Sequence, residues 1–571
     1  MAYIVRKKIS GKTYYYAEHR VWKDGKSRRE WQKYLGTIDN IMDAVEGNPL
    51  APDHAVLFEL GGVASYLSLA KEIQMVEKIN RMLPKRKQGL SIGEYLQIAT
   101  INRGLEAVSK RSMWSWFQNT VLLHHFSGIK KEQLTSQRFW DHMNLIPEEK
   151  ITPVWLEVLN SALSSAHMDL SSVAFDETNF YTFISTFNQR CSLPQRGKNK
   201  QGRSNLRQVN YALFCSKEYH LPLYFDVYQG NVHDSTKFKE ILPGFKAAFK
   251  DKITSGSTMT LVFDKGNNSP EAISEIDQSP FHFVGSLKLN EHPELTSISN
   301  MDKRFESTGH PQLESLKALR VQKELYGETR TVIVTFNQNL YDDQLKTLYN
   351  DLERCQGKLS ELSRRLIDRA EGLVTRGKKP TKASVEKNVK EILKRQYMKQ
   401  LIKVDYQAKN TIPLIQYSLD GDQLASLTDT LLGKKILFTD NHDWKTEDII
   451  LAYHGQHVIE NIFKETKDCK TGCWWPLNHW TDQKIKVHGL YCTITLLMRA
   501  LMIMKTREQN INLSLGRLHE SLKGIKQVIN IYPKQKGQGN KKERKTRTLT
   551  KMDEVQEKLF DLFRMNDYIA I

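Results

Sequence analysis

From Ser171 onward the apolar residues come in short runs rich in aromatic and β-branched side chains: SSVAF, VNYALFCS, HLPLYFDVY, TMTLVF and FHFVGSL. Each run is the length of a strand, and polar turn residues separate it from the next. Between them TKFKEILPGFKAAFK and the stretch from Pro270 to Ile276 carry helical spacing. A strand-rich opening followed by strand and helix alternation confines this part of the chain to a mixed α/β sheet. Asp176 ends or lies on the first run, and Asp264 ends the fourth.

The flanks read differently. Residues 1–45 form a short β-meander, YIVRKKI, KTYYYAEHRVW and RREWQKYLGTI, in which aromatics and cations interleave. That mixture suits a DNA-contacting surface as well as it suits the core face of a small sheet. Residues 46–170 turn helical from about Ala55, with the basic, tryptophan-bearing SKRSMWSWFQNT among the apolar stripes. They fit a DNA-end-binding region or a scaffold beside a catalytic core. The first part of the sheet spans 171–290, and residues 291–433 interrupt it as an inserted α+β domain. Leu345, Leu348, Leu352, Leu359, Leu362 and Leu366 lie near heptad spacing there. The run is too short for a sustained coiled coil, so the core of a helical hairpin is the better reading. GKKILFTD resumes the sheet in 434–510, and a basic region, 511–571, ends the chain. Its segment from Pro533 to Arg547 holds Lys534, Lys536, Lys541, Lys542, Arg544, Lys545 and Arg547 and reads as a mobile basic tail or a solvated linker.

With 84 Lys and Arg against 65 Asp and Glu, the formal charge of +19 points to a polyanionic partner, nucleic acid first. Six scattered cysteines fit a reducing compartment rather than a disulfide framework. Cys469 and Cys473 near His479 and His488 lack the second ligand pair of a zinc site. MAYIVRKKIS is charged where a secretion signal would be apolar, so a cytoplasmic location is expected. Val487–Met504 approaches membrane-spanning length, yet His488 and Arg499 within it argue for a buried helix and no membrane.

The segment TEDIILAYHGQHVIENIFKETK follows the last strand-like run. In it Tyr453, Gln456, Glu460, Lys464 and Lys467 recur at steps of three and four, which places them on one face of one helix, while Ile449, Ile450, Val458, Ile459, Ile462 and Phe463 lie mostly opposite. Taken singly, Asp176 or Asp264 would be read as a turn former or cap, and Glu460 as a surface partner of Lys464. Together, two strand acids and a helix acid compose the hard oxygen set that two Mg²⁺ ions require for phosphoryl transfer, with Asp176 as the bridging ligand. Mn²⁺ would substitute.

These residues resemble the DDE transposases of insertion sequences, in the group whose last acid sits in a Tyr-x2-Arg-x3-Glu-x6-Lys signature. YHGQHVIENIFKETK supplies Tyr453, Gln456, Glu460 and Lys467 at the four positions, and DETNF, YQGNVHDSTKF, FDKGNNSPEAI and PLNHWTDQKIKVHGL add to the likeness over roughly 170–505. Gln456 replaces the signature arginine, and Lys464 stands one turn beyond Glu460 as a substitute cation. Lys265 keeps the charge that relatives carry after the second acid. The resemblance implies an RNase H-like core interrupted between Asp264 and Glu460. It also implies catalysis by Asp176, Asp264 and Glu460, DNA contacts by Tyr453, Gln456, Lys464, Lys467 and Lys265, and a homodimer on paired double-stranded element ends and target, in a prokaryotic cytoplasm. Such enzymes cut at terminal inverted repeats and join the 3′ ends to target DNA. Some form a hairpin with a flipped base stacked on tryptophan, for which Trp444, Trp474, Trp475 and Trp480 are candidates. A nuclease that cuts without joining and a transposase-derived DNA-binding protein are the alternatives.

Overall fold

The computed structural model describes residues 2–569 apart from 10, 24, 47–51, 85–88, 166–167, 254–257, 469–471 and 533–543. The chain divides into two compact units, Met1–Ile146 with Met498–Ile571, and Pro147–Leu497.

In the first unit, β1 (Ala2–Ile9), β2 (Lys12–Lys23) and β3 (Lys26–Gly36) form an antiparallel meander, against which the helix Ile38–Glu46 packs. Then β4 (His54–Glu59) opens a region of short helices. HAVLFE is therefore a strand and not the start of a helix. Its hydrogen-bonding partner comes from the far end of the chain, so local periodicity carries no trace of it.

The second unit is built on one large mixed sheet. In chain order its strands are β5 (Ser172–Thr182), β6 (Arg207–Ser216), β7 (Pro222–Gln229), β8 (Met259–Phe263), β9 (Phe281–Leu287), β10 (Glu306–Ser307), β11 (Leu316–Leu325), β12 (Glu328–Asn337) and, after a separate hairpin of β13 (Ile402–Lys409) and β14 (Ile412–Leu419), β15 (Lys434–Thr439). The spatial order is β10-β11-β12-β15-β9-β8-β5-β6-β7, with β5, β8 and β9 parallel and the other pairs antiparallel. Alternation along β5 turns Phe175 to one face, where Phe214 and Phe238 both lie 4.5 Å away between ring centroids. Phe245, on the same helix as Phe238 (Asp234–Ile253), stacks on Phe214 at 4.1 Å. On the other face Ile449, Ile450 and Ala452 of the helix Thr446–His454 pack with Val262, Val284, Ile333 and Leu437. Each fully buried side chain of this size contributes about 1.5–3 kcal/mol, so the central strands are the firmest part of the unit.

The β11–β12 hairpin extends this same sheet, so the interruption expected over 291–433 does not stand wholly apart. What does have its own core is the segment from the helix Gln338–Ala370 onward. Asn337 starts that helix by accepting the Leu340 N–H at 2.9 Å. Leu348, Leu352, Leu359, Leu362 and Leu366 are buried with Val385 and Val389 of the helix Lys382–Ile392 and with Ile412 and Ile415 of β14. The leucine stripe thus serves an internal core of mixed helix and hairpin.

The helix Asp482–Glu508 is the one described helix long and apolar enough to cross a membrane. Its apolar window is 94% buried inside the protein, as a core helix would be. At the C-terminal end, β16 (Lys526–Ile531) pairs with both β4 and β17 (Lys545–Leu549). Lys545 and Arg547 therefore belong to a strand, where a mobile tail or a solvated linker was expected, because β16 pairs with it along its length. Lys534, Lys536, Lys541 and Lys542 lie outside the described residues, as does Cys469.

Candidate active site

Strands β5 and β8 run parallel in a register that pairs Phe175 with Phe263. Asp176 and Asp264 are the next residues along each strand, so they leave neighbouring strands, about 5 Å apart, on the face opposite the phenylalanines. Asp264 closes β8 as expected. Asp176 does not end its strand: β5 continues to Thr182, because β6 pairs with it along its length, from Val173 with Ser216 to Thr182 with Arg207.

The two carboxyls are held differently. Asp264 Oδ1 accepts the Ser286 hydroxyl at 2.7 Å and the Tyr453 hydroxyl at 3.0 Å. Burial works to raise its pKa, but these bonds and the Lys265 backbone N–H outweigh it and leave the group below its ordinary value. Asp176 has no comparable set. Burial pushes it up to about 6, with the carboxylates of Asp264 and Asp234 adding to the rise and Lys200 opposing it.

The stripe bearing the third acid is not one helix. Thr446–His454 and Gln456–Lys467 are separate helices joined at Gly455. Glycine is a poor helix former, and here its N–H bonds back to Ala452 at 3.0 Å as a new turn begins. Tyr453 consequently sits on the first helix, while Gln456, Glu460, Lys464 and Lys467 sit on the second. Gln456 is buried, and its amide donates to the carbonyl of Phe175 at 3.1 Å, one residue before Asp176. The residue that departs from the signature is thus a strut under the first acid. At the far end Lys467 donates to Thr178, which shares a strand face with Asp176. Burial and the nearby Lys200 lower the Lys467 amine to about 8, against the pull of Asp176. Glu460, between these two anchors, is exposed, as are Lys464 and Lys265. Among the described residues no three His, Cys, Asp or Glu side chains gather as a metal cage. Asp176 and Asp264 are hard oxygen donors on adjacent strands, which suits Mg²⁺, while Glu460 stands off from them.

Several residues around the acids gave no warning in the sequence. Glu177 points to the opposite face of β5, fully buried, and Asn267, with its amide nitrogen turned inward, donates to its two oxygens at 3.1 and 3.0 Å. Burial first, then Asp176 and Asp234, drive the Glu177 carboxyl well above its usual value. It lines a cavity of about 430 Å³ with Asn179, Lys200, Asn210, Tyr228 and Asp234. The acidic doublet in DETNF was visible, but its two-faced use follows only from the strand continuing. Ser286, which steadies Asp264, carried no local signal.

Of the tryptophans, Trp474 is buried and stacks on Phe180 at 4.1 Å, and Trp475 lies against Tyr181 at 4.5 Å. Trp444 is half-buried, with its carbonyl accepting from Arg320 at 2.7 Å. Trp480 is 62% exposed, the most open of the four.

Comparison with known proteins identifies the family. The family described as "Transposase DDE domain" matches residues 171–498, more than half of the chain and all of the site. Among solved structures, the cryo-EM structure of a piggyBac transposase synaptic complex with hairpin DNA is similar at 9% identity and a TM-score of 0.38, over 83% of this chain and 82% of that one. No curated protein matches. With more than half its length matched, this chain belongs to the DDE transposase family.

Proposed function

We propose that this transposase cuts DNA at the terminal inverted repeats of an insertion sequence and joins the freed 3′ ends to target DNA, with Asp176, Asp264 and Glu460 as its catalytic carboxylates. The observation that carries this reading is the Phe175–Phe263 register, which brings the first two acids side by side on the face toward the helix of Glu460. The three would hold two Mg²⁺ ions, or Mn²⁺ in their place. When bound, such ions activate the attacking water or hydroxyl and neutralise charge on the phosphate oxygens.

The protein's own residues have distinct parts in this scheme. Ser286 and Tyr453 keep Asp264 ionised and aimed. Gln456 fixes the backbone ahead of Asp176, and Lys467 with Lys200 sets positive charge beside it. Lys464 and Lys265, exposed on either side, meet the DNA backbone. The sheet is read as an RNase H-like core whose sequence is interrupted between Asp264 and Glu460 by the segment with its own leucine core. The active form is a homodimer holding two element ends, at work on the nucleoid of a prokaryotic cytoplasm.

The test uses labelled duplexes carrying the inverted repeats that flank the reading frame, a plasmid target, and Mg²⁺. Asp176→Ala is expected to abolish nicking and joining while binding of the duplex persists. Unchanged cleavage by this variant contradicts the assignment. Nicking by the unaltered protein with no joined product would replace transposition by the nuclease reading.

A further inference from the structure

The meander of the first unit has a tip that its first strand does not reach. Pairing of β1 to β2 stops at His19, whereas β2 and β3 continue together through Arg20 with Arg29, Val21 with Arg28, Trp22 with Ser27 and Lys23 with Lys26. Residues 20–23 and 26–29 therefore form a two-stranded ribbon projecting past the sheet. In sequence, residues 20–29 contain five Lys or Arg and one acid, and residues 2–36 as a whole hold ten Lys or Arg against three acids.

The charges at the base of this ribbon are organised. Glu18 is buried, 2% exposed, and it pairs with Arg20 Nε at 3.2 Å, Arg29 Nε at 3.4 Å and Lys7 at 3.9 Å, while Gln32 also donates to it. One internal carboxylate thus anchors three cations and leaves the cluster net positive. Arg20 is engaged through Nε, so its two Nη groups stay available to an outside acceptor. Alternation along β2 puts Trp22 on the same face as Arg20 and Glu18, and the residue is 76% exposed. An exposed ring beside a fixed guanidinium offers a flat apolar face next to a cation, the pair of groups that suits nucleic acid.

We propose that this ribbon enters the major groove of duplex DNA, with Arg20, Lys23, Lys26 and Arg29 on the phosphates and groove edges and Trp22 packed against the sugar and base edges. Glu18 acts as the positioning residue that holds Arg20 and Arg29 in place. The groove, about 12 Å wide, admits a two-stranded ribbon, and strand spacing of about 5 Å keeps this one within that width. The charge of the ribbon is complementary to a polyanion. The inference rests on the reading that the chain acts on DNA, but not on where its chemistry occurs.

The experiment is a salt titration of full-length protein binding to a duplex and to a single strand of the same sequence, followed by fluorescence anisotropy. Arg20→Ala with Arg29→Ala is expected to flatten the slope of log affinity against log salt on duplex by about two, one for each phosphate no longer neutralised. Lys23→Ser with Lys26→Ser, at the exposed end of the ribbon, should do the same, and it keeps the test open should the arginine pair unfold the meander. Trp22→Ala should weaken duplex binding with little change of slope. Both double variants should still nick the element-end duplex once protein is raised to saturate it, which separates failure here from failure of the catalytic assignment. An unchanged slope and affinity in both double variants, or a weakening confined to the single strand, overturns the proposal.

Discussion

Two of the proposed catalytic acids are carried by strands and the third by a helix, and the structure treats them differently. Asp176 and Asp264 are fixed by the register of two adjacent parallel strands in the middle of a buried sheet. Glu460 rides on a helix that begins anew at Gly455 and is tied to β5 at its two ends, through Gln456 and Lys467, with the acid exposed between them. Backbone pairing therefore determines where the first two carboxylates stand, whereas the third depends on side-chain anchors and on a helix start. In the proposed site the strand pair is the preformed half, and the helix is the part that would have to be brought up to it.

The largest expected effect comes from deleting either half. Asp264→Asn and Glu460→Gln should each lower cleavage by roughly 10²–10³-fold or more, the scale of losing one electrostatic stabiliser, with duplex binding kept. Normal cleavage by Glu460→Gln would break the comparison by removing the helix from the site. A smaller effect is expected at Ser286. Ser286→Ala takes one hydrogen bond from Asp264 and should raise the Mg²⁺ needed for half-maximal cleavage by about 10- to 100-fold, as for other residues that orient a metal ligand. The helix is sharpened by Gly455→Ala. An added Cβ would meet the Ala452 carbonyl oxygen at 3.0 Å and Lys217 Cδ at 3.2 Å, so the helix start must shift by a few tenths of an ångström. Cleavage should fall by about tenfold, within the range that a misplacement of this kind costs, and the melting temperature should change little.

The smallest effect is on stability against pH. The Asp176 carboxyl lies near 6, above its unfolded value of 3.8, so the folded metal-free protein binds a proton that the unfolded chain has released between those limits. Its ionisation therefore costs stability as pH rises through 6, and that cost is relieved as pH falls toward 4. Asp176→Asn should stabilise the metal-free protein by about 1–3 kcal/mol at pH 7 and by almost nothing at pH 4, read by thermal melts at both pH values. Mg²⁺ activation of the unaltered enzyme should weaken below pH 6, because the ion competes with that proton.

Most of what the sequence made legible was local in origin. Short apolar runs located the central strands, and the leucine stripe located a buried helix face. Of the five residues that the spacing from Tyr453 to Lys467 picked out, Tyr453, Gln456 and Lys467 meet Asp264 and β5, while Glu460 and Lys464 stay exposed. What stayed hidden depended on partners far along the chain. The strand at His54 needs β16, the length of β5 beyond Asp176 needs β6, and the attachment of β11 and β12 to the main sheet needs β15. The break at Gly455 was concealed because residues on both sides keep a three- and four-residue spacing through it. Gln456 looked like a missing cation, and only its burial against Phe175 reveals a support for the first acid. Ser286 and Glu177 owe their roles to the strand beside them and to strand parity, which no motif announces.

The central claim, that strand-borne and helix-borne acids share one metal centre, is tested most directly by crystallising the protein with Mn²⁺ and an element-end duplex and recording anomalous scattering at the manganese edge. The account predicts two peaks about 4 Å apart, both beside Asp176, with Asp264 near one and Glu460 near the other. Peaks that avoid Asp176 and Asp264, or a fully occupied pair with Glu460 still turned to solvent, would contradict it.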